Sequence, residues 1–190
     1  MVTRKGGGAA VKATVTLTIA VMSLPALAQP LRLLDSNVVR QTTASDCGLA
    51  ALASLLGAFK GYQVKLSDLS QRAANLDLLT ETQLKQGFSI RELVQIAATF
   101  DVVIEAKLVD INQLKMQHRP VIAWLSFEGN NNHFTVINPG LFDSAHLSLA
   151  DPTLGSRNIN EEHFLSWWLR FEGRGVILTA SDSKSRFGSS

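Results

Sequence analysis

The chain has 190 residues, 46% of them hydrophobic and 18% charged, with a formal net charge of +2. That suits one globular domain with a real core and excludes both a disordered chain and a strongly charged nucleic-acid binder. Residues 1–28 account for much of the basicity. Arg4, Lys5 and Lys12 make a positive start, Ala13 to Leu24 is apolar, and Ala26-Leu27-Ala28 is a small-x-small site. This layout predicts a secretory signal peptide over 1–28, a single domain over 29–181, and a Ser- and Gly-rich mobile tail over 182–190. The apolar stretch is short for a membrane span and is interrupted by Pro25, so an uncleaved anchor is the minor alternative. Losing three cations and no acid takes the charge from +2 to about −1, leaving no basic surface to explain.

Gln29 to Arg40 reads as an extended lead-in. From Cys47 to Leu56, apolar residues at Leu49, Leu52, Ala53 and Leu56 predict a helix ended by Gly57. Leu66 to Ala73 reads as a second helix with Ser67 as its N-cap. Ser89-Ile90-Arg91-Glu92 is a capping-box pattern ahead of Leu93, Ile96 and Ala97, which predicts a third. Strand-like runs follow: Val102 to Leu108, Val121 to Phe127, His133 to Ile137, His146 to Ala150 and Gly175 to Leu178. The turn-rich pieces Glu128 to Asn132 and Asn138-Pro139-Gly140 separate some of them, and a late helix is expected over Glu161 to Trp168. Helices first and strands afterwards predict an α+β domain, a helical layer beside a mostly antiparallel sheet.

Cys47 is the sole cysteine, so an exported chain has no internal disulfide and carries an unpaired thiol that needs burial or a task. A lone cysteine ordinarily just packs. Here the polar run Gln41-Thr42-Thr43-Ala44-Ser45-Asp46 stops abruptly at Cys47, which places the thiol at the first turn of a helix. There unpaired N–H groups and the helix dipole favour a thiolate. Asp46 either caps that helix or sets an opposing charge beside the thiol, and is assigned a structural role. The other histidines, His118, His146 and His163, lack metal-ligand spacing, and Gly6-Gly7-Gly8 with Lys12 is no phosphate-binding loop, so no metal, cofactor or ATP-binding site is expected. Trp124, Trp167 and Trp168 are expected to pack in the core before lining any groove.

Gln41, Asp46-Cys47-Gly48, His133-Phe134-Thr135-Val136-Ile137, and Asp151-Pro152 with Gly155 occur in that order. In this the chain resembles the bacteriocin-processing, double-glycine leader peptidases, a papain-like cysteine peptidase family that forms the N-terminal domain of many peptide-exporting ABC transporters and also occurs as stand-alone proteins. The resemblance spans roughly Val38 to Gly175. It implies a papain-like fold with Cys47 as nucleophile, His133 as base, Asp151 as the carboxylate orienting it, and Gln41 donating to the oxyanion with the Cys47 backbone N–H. It also implies a peptide or protein substrate cut after a Gly-Gly-type leader, with a secretion-system component as a further partner. With the signal peptide, that places the expected enzyme in the periplasm, touching membrane only through that segment. Two alternatives stand beside it: a non-catalytic adaptor that binds leaders, against which Cys47 speaks, and a papain-like amidase acting on cell-wall peptides.

Overall fold

A computed structural model describes residues 37–127, 131–138 and 146–182. Four helices come first: α1 (Cys47–Lys60), α2 (Leu66–Asn75), α3 (Glu81–Gln86) and α4 (Ile90–Ala98). Next are β1 (Val102–Val109), α5 (Ile111–Lys115), β2 (Val121–Phe127), β3 (Asn131–Ile137), β4 (His146–Asp151), β5 (Gly155–Asn160), α6 (Glu161–Trp168) and β6 (Gly175–Asp182). The strands make one sheet ordered β1-β6-β2-β3-β4-β5, antiparallel at every neighbouring pair. The expected signal peptide, most of the lead-in, the Asn138-Pro139-Gly140 turn beyond Asn138, and 183–190 lie outside the described residues. Asp182, expected to open the tail, instead ends β6 opposite Val102.

Successive residues of a strand face opposite sides of a sheet, and here both sides are covered. Ile122, Val136, Ala150 and Leu178 pack with α1, α2 and α4 in one core. Ala123, Ile137, Leu149 and Ile177 pack with Leu114 of α5 and Phe164 and Trp168 of α6 in a second. The expected single helical layer is therefore joined by a thinner one on the far face. Burial on both faces explains why β2 reads as the nearly continuous apolar run Val121-Ile122-Ala123-Trp124-Leu125.

The nucleophile helix is longer than its sequence pattern suggests. Gly57 does not end α1; the chain turns at Gly61, whose left-handed backbone (φ 76°) lets its N–H reach the Gly57 carbonyl. Gly57 is small for another reason, since a Cβ there would lie 3.3 Å from the Tyr62 carbonyl oxygen as the chain folds back. In α2 the helix begins two residues earlier than Ser67 as N-cap would allow: Lys65 is the N-cap residue, and its N–H donates to the Asp68 carboxylate at 3.3 Å. The capping box of α4 forms as expected, with the Ser89 N–H on Glu92 at 2.7 Å and the Glu92 N–H on the Ser89 hydroxyl at 3.4 Å. The Asn132 end of the expected turn is already part of β3.

Gly175 starts β6 directly against the Trp168 indole. That indole is fully buried and donates to the Val176 carbonyl at 3.1 Å. An alanine Cβ at position 175 would stand 2.3 Å from Trp168 Cε2. Gly175→Ala is therefore expected to destabilise the fold by roughly 1–3 kcal/mol, the scale of overpacking a filled core. Urea unfolding checks this: the midpoint drops in the variant, and an unchanged midpoint shows that Trp168 can yield.

Candidate active site

α1 is apolar on nearly every side, and eleven of its fourteen residues are buried, so the helix is fixed in the core and its first residue is fixed with it. Gly48 lets that first turn lie against the sheet, since its missing Cβ would meet Phe134 at 3.2 Å. Cys47 is 8% exposed at the helix start, where the first-turn N–H groups have no acceptor inside the helix. Asp46 does not cap this helix with its side chain. Its carboxylate folds back to accept from the N–H groups of Thr42 and Thr43 at 3.1–3.2 Å and from the Thr42 hydroxyl at 2.7 Å. The structural role assigned to Asp46 is thus realised as a loop clasp.

His133 stands early in β3, paired across to Leu125 of β2. Its Nε2 lies 3.1 Å from Asp151 Oδ2, and Cys47 is the second group that acts on the charge of the ring. With Nε2 taken by Asp151, Nδ1 is the ring nitrogen left for the sulfur. Phe127 closes the other side of the imidazole, with ring centroids 5.9 Å apart. Asp151 ends β4 and is 2% exposed. Its Oδ1 accepts from the Thr153 and Leu154 N–H groups at 2.8 and 3.0 Å, which leaves Oδ2 to the histidine.

These contacts set the charges. Burial disfavours a charged imidazole, but hydrogen bonding to Asp151 and Cys47, and the negative charge they bring, outweigh it and push His133 up from 6.5 to about 9. Asp151 is likewise penalised by burial, yet His133 and the two backbone N–H groups hold it below the usual carboxylate range. The result is a buried imidazolium held by a carboxylate.

Gln41 is placed by the turn that carries Asp151. Its backbone N–H donates to the Pro152 carbonyl at 3.0 Å, its Oε1 accepts from the Thr153 hydroxyl at 2.9 Å, and its Nε2 donates to the Thr43 carbonyl at 2.8 Å. Two residues upstream, the Val39 N–H donates to the buried Ser54 hydroxyl at 2.8 Å, which ties the lead-in to α1. Arg40 adds a guanidinium bond to the Thr153 carbonyl.

The thiol opens onto a cleft of about 510 Å³. One wall is α3 and the start of α4, with Gln83, Gln86, Gly87 and Phe88; the other is the sheet, with Trp124, Asn132 and Phe134. Of the three tryptophans, Trp168 is core as expected, whereas Trp124 is a wall of this cleft. Arg170 lies over its ring at 4.3 Å and reaches Asn132 Oδ1 at 3.0 Å. Sequence reasoning missed α3, because none of its residues is buried and no apolar period marks it. The Ser45 hydroxyl fastens it to the nucleophile loop through the Leu84 carbonyl at 2.8 Å.

The family model of the peptidase C39 family matches residues 35–185. The chain belongs to the peptidase C39 family. It is accordingly a cysteine peptidase. The fold agrees with solved relatives. A double glycine motif protease from an AMS/PCAT transporter, in complex with the leader peptide, superposes with a TM-score of 0.57 at 22% identity, over 76% of this chain and 90% of that one. The peptidase domain of Streptococcus ComA, a bi-functional ABC transporter, superposes with a TM-score of 0.60 at 21% identity, over 76% and 96%. An uncharacterized protein of Methanothermobacter marburgensis is 29% identical over 130 residues, covering 68% of this chain and 81% of its own.

Proposed function

We propose that Cys47, His133, Asp151 and Gln41 carry the hydrolysis in this C39 peptidase, and that its substrate is an exported peptide or protein cut after a Gly-Gly-type leader in the periplasm. The observation that carries this reading is the 3.1 Å pairing of His133 with the buried Asp151, while Cys47, which lines the cleft, acts on the same imidazole. His133 takes the thiol proton, and the sulfur attacks the scissile carbonyl carbon while its π electrons move to oxygen. Gln41 Nε2 and the Cys47 backbone N–H receive that oxyanion. The tetrahedral centre collapses, the C–N bond breaks, and the imidazolium returns its proton to the departing amine. Water then attacks the thioester with His133 as base, releasing the acid and restoring the thiol. Asp151 keeps Nε2–H facing itself, so the proton exchanged with the sulfur and the departing amine is the one on Nδ1.

The leader specificity is supported by the solved relative bound to its leader peptide, and by the cleft. Phe88, Trp124 and Phe134 crowd the approach to the thiol. A residue pair without side chains passes such walls and brings its carbonyl close. The periplasmic location is supported by the layout of residues 1–28. In a test, wild type and Cys47→Ala are incubated with exported proteins encoded beside this chain, and the products are read by mass spectrometry. Cleavage after a glycine pair by wild type alone is the expected result. Capture without cleavage by both proteins would instead favour a leader-binding adaptor.

A further inference from the structure

We infer that the Thr153 hydroxyl is a positioning group for the oxyanion donor, fixing which way the Gln41 amide faces. This rests on the role proposed above for Gln41. The oxygen and nitrogen ends of an amide are similar in size, so their orientation is decided by what they meet. At one end Nε2 meets the Thr43 carbonyl, which can only accept; at the other Oε1 meets the Thr153 Oγ1, whose hydroxyl can donate. A flipped amide would set oxygen against the Thr43 carbonyl oxygen. The bond to Thr43 uses one of the two Nε2 hydrogens, and the role proposed above calls on the other.

Attachment of this segment does not depend on the hydroxyl. The Gln41 N–H stays on the Pro152 carbonyl, Arg40 stays on the Thr153 carbonyl, and Val39 stays on Ser54. Thr153 also donates its own N–H to Asp151 Oδ1, a bond that any side chain at 153 preserves. One residue thus meets the orienting acid through its main chain and the oxyanion donor through its side chain. The two functions separate cleanly in Thr153→Val.

The test uses the full chain and a fluorogenic peptide that ends in Gly-Gly joined to an aminocoumarin. Thr153→Val is expected to lower kcat about three- to tenfold, the scale of one neutral hydrogen bond, with KM unchanged. Thr153→Ser restores the rate. In a Gln41→Ala background Thr153→Val adds nothing, and iodoacetamide labels Cys47 equally fast with and without the Thr153 hydroxyl. Slow turnover by Gln41→Ala beside a wild-type rate for Thr153→Val overturns the inference and leaves the proposed function standing. So does a Thr153→Val loss that persists without Gln41, or that serine does not repair. A wild-type rate for Gln41→Ala removes the oxyanion role and the inference together. Absence of Cys47-dependent release from this probe would overturn the Gly-Gly reading as well.

Discussion

Cys47→Ala is expected to abolish hydrolysis, with a fall in kcat on the order of 10^5–10^6, and His133→Ala is expected to fall nearly as far. Groups that act as one unit lose nearly all their effect when either is removed, so the double variant should be little worse than the singles. The fold should survive, because alanine at position 47 removes one sulfur from a helix held by ten other buried residues. The assay is single-turnover cleavage of a Gly-Gly peptide, with circular dichroism to show that the variants are folded. Iodoacetamide labelling separates the two partners: at neutral pH, His133→Ala keeps the sulfur but should label it more slowly. Equal labelling would mean that the imidazole does nothing for the thiol.

Asp151→Asn is the second large effect, and its cause lies in the turn. The Thr153 and Leu154 N–H groups bind Oδ1. In the variant they will hold the amide oxygen, which aims the new NH2 at His133 Nε2. Two donors cannot face each other, so Nε2 becomes the acceptor and the ring proton moves to Nδ1, toward the sulfur. That tautomer cannot take the thiol proton. A loss of about 10^4 in kcat is expected, the scale known for an orienting carboxylate replaced by its amide. Substrate binding involves neither oxygen, so KM should hold. A variant with kcat within tenfold of wild type would show that Asp151 only builds the turn.

The parts of this site that sequence displayed are those governed by local rules. An abrupt change from polar to apolar at Cys47 marks a helix start, and the Ser89–Glu92 box is a local hydrogen-bond exchange that four residues encode. Where the outcome depended on distant packing, local rules misled. Gly57 reads as a stop signal, but its size serves the returning chain at Tyr62. Strand β5 escaped notice because Gly155-Ser156-Arg157-Asn158-Ile159-Asn160 lies at the sheet edge, and Ile159 is its one apolar side chain to enter the core. Helix α5, five residues long, buries only Leu114.

The site shows the same division. Cys47, His133 and Asp151 each stand out beside a structural boundary, a helix start or the end of a strand. The tie between Gln41 and Thr153 spans 112 positions and has no local signature. Nor does the clamp of Arg170 across Trp124 to Asn132, which joins the loop after α6 to the cleft wall. Such contacts are set by how the fold brings the lead-in to the β4–β5 turn and the loop after α6 to β2 and β3, and they become legible only once that register exists.

The shared proton between Cys47 and His133 is most directly read from the imidazole itself, by following the His133 ring resonances against pH in wild type and in Cys47→Ala. In wild type a midpoint at about 9 is expected, and removing the sulfur should move it down, because Cys47 contributes both a hydrogen bond and negative charge to that shift. A midpoint near 6.5 that is the same in both proteins would contradict a coupled thiol and imidazole.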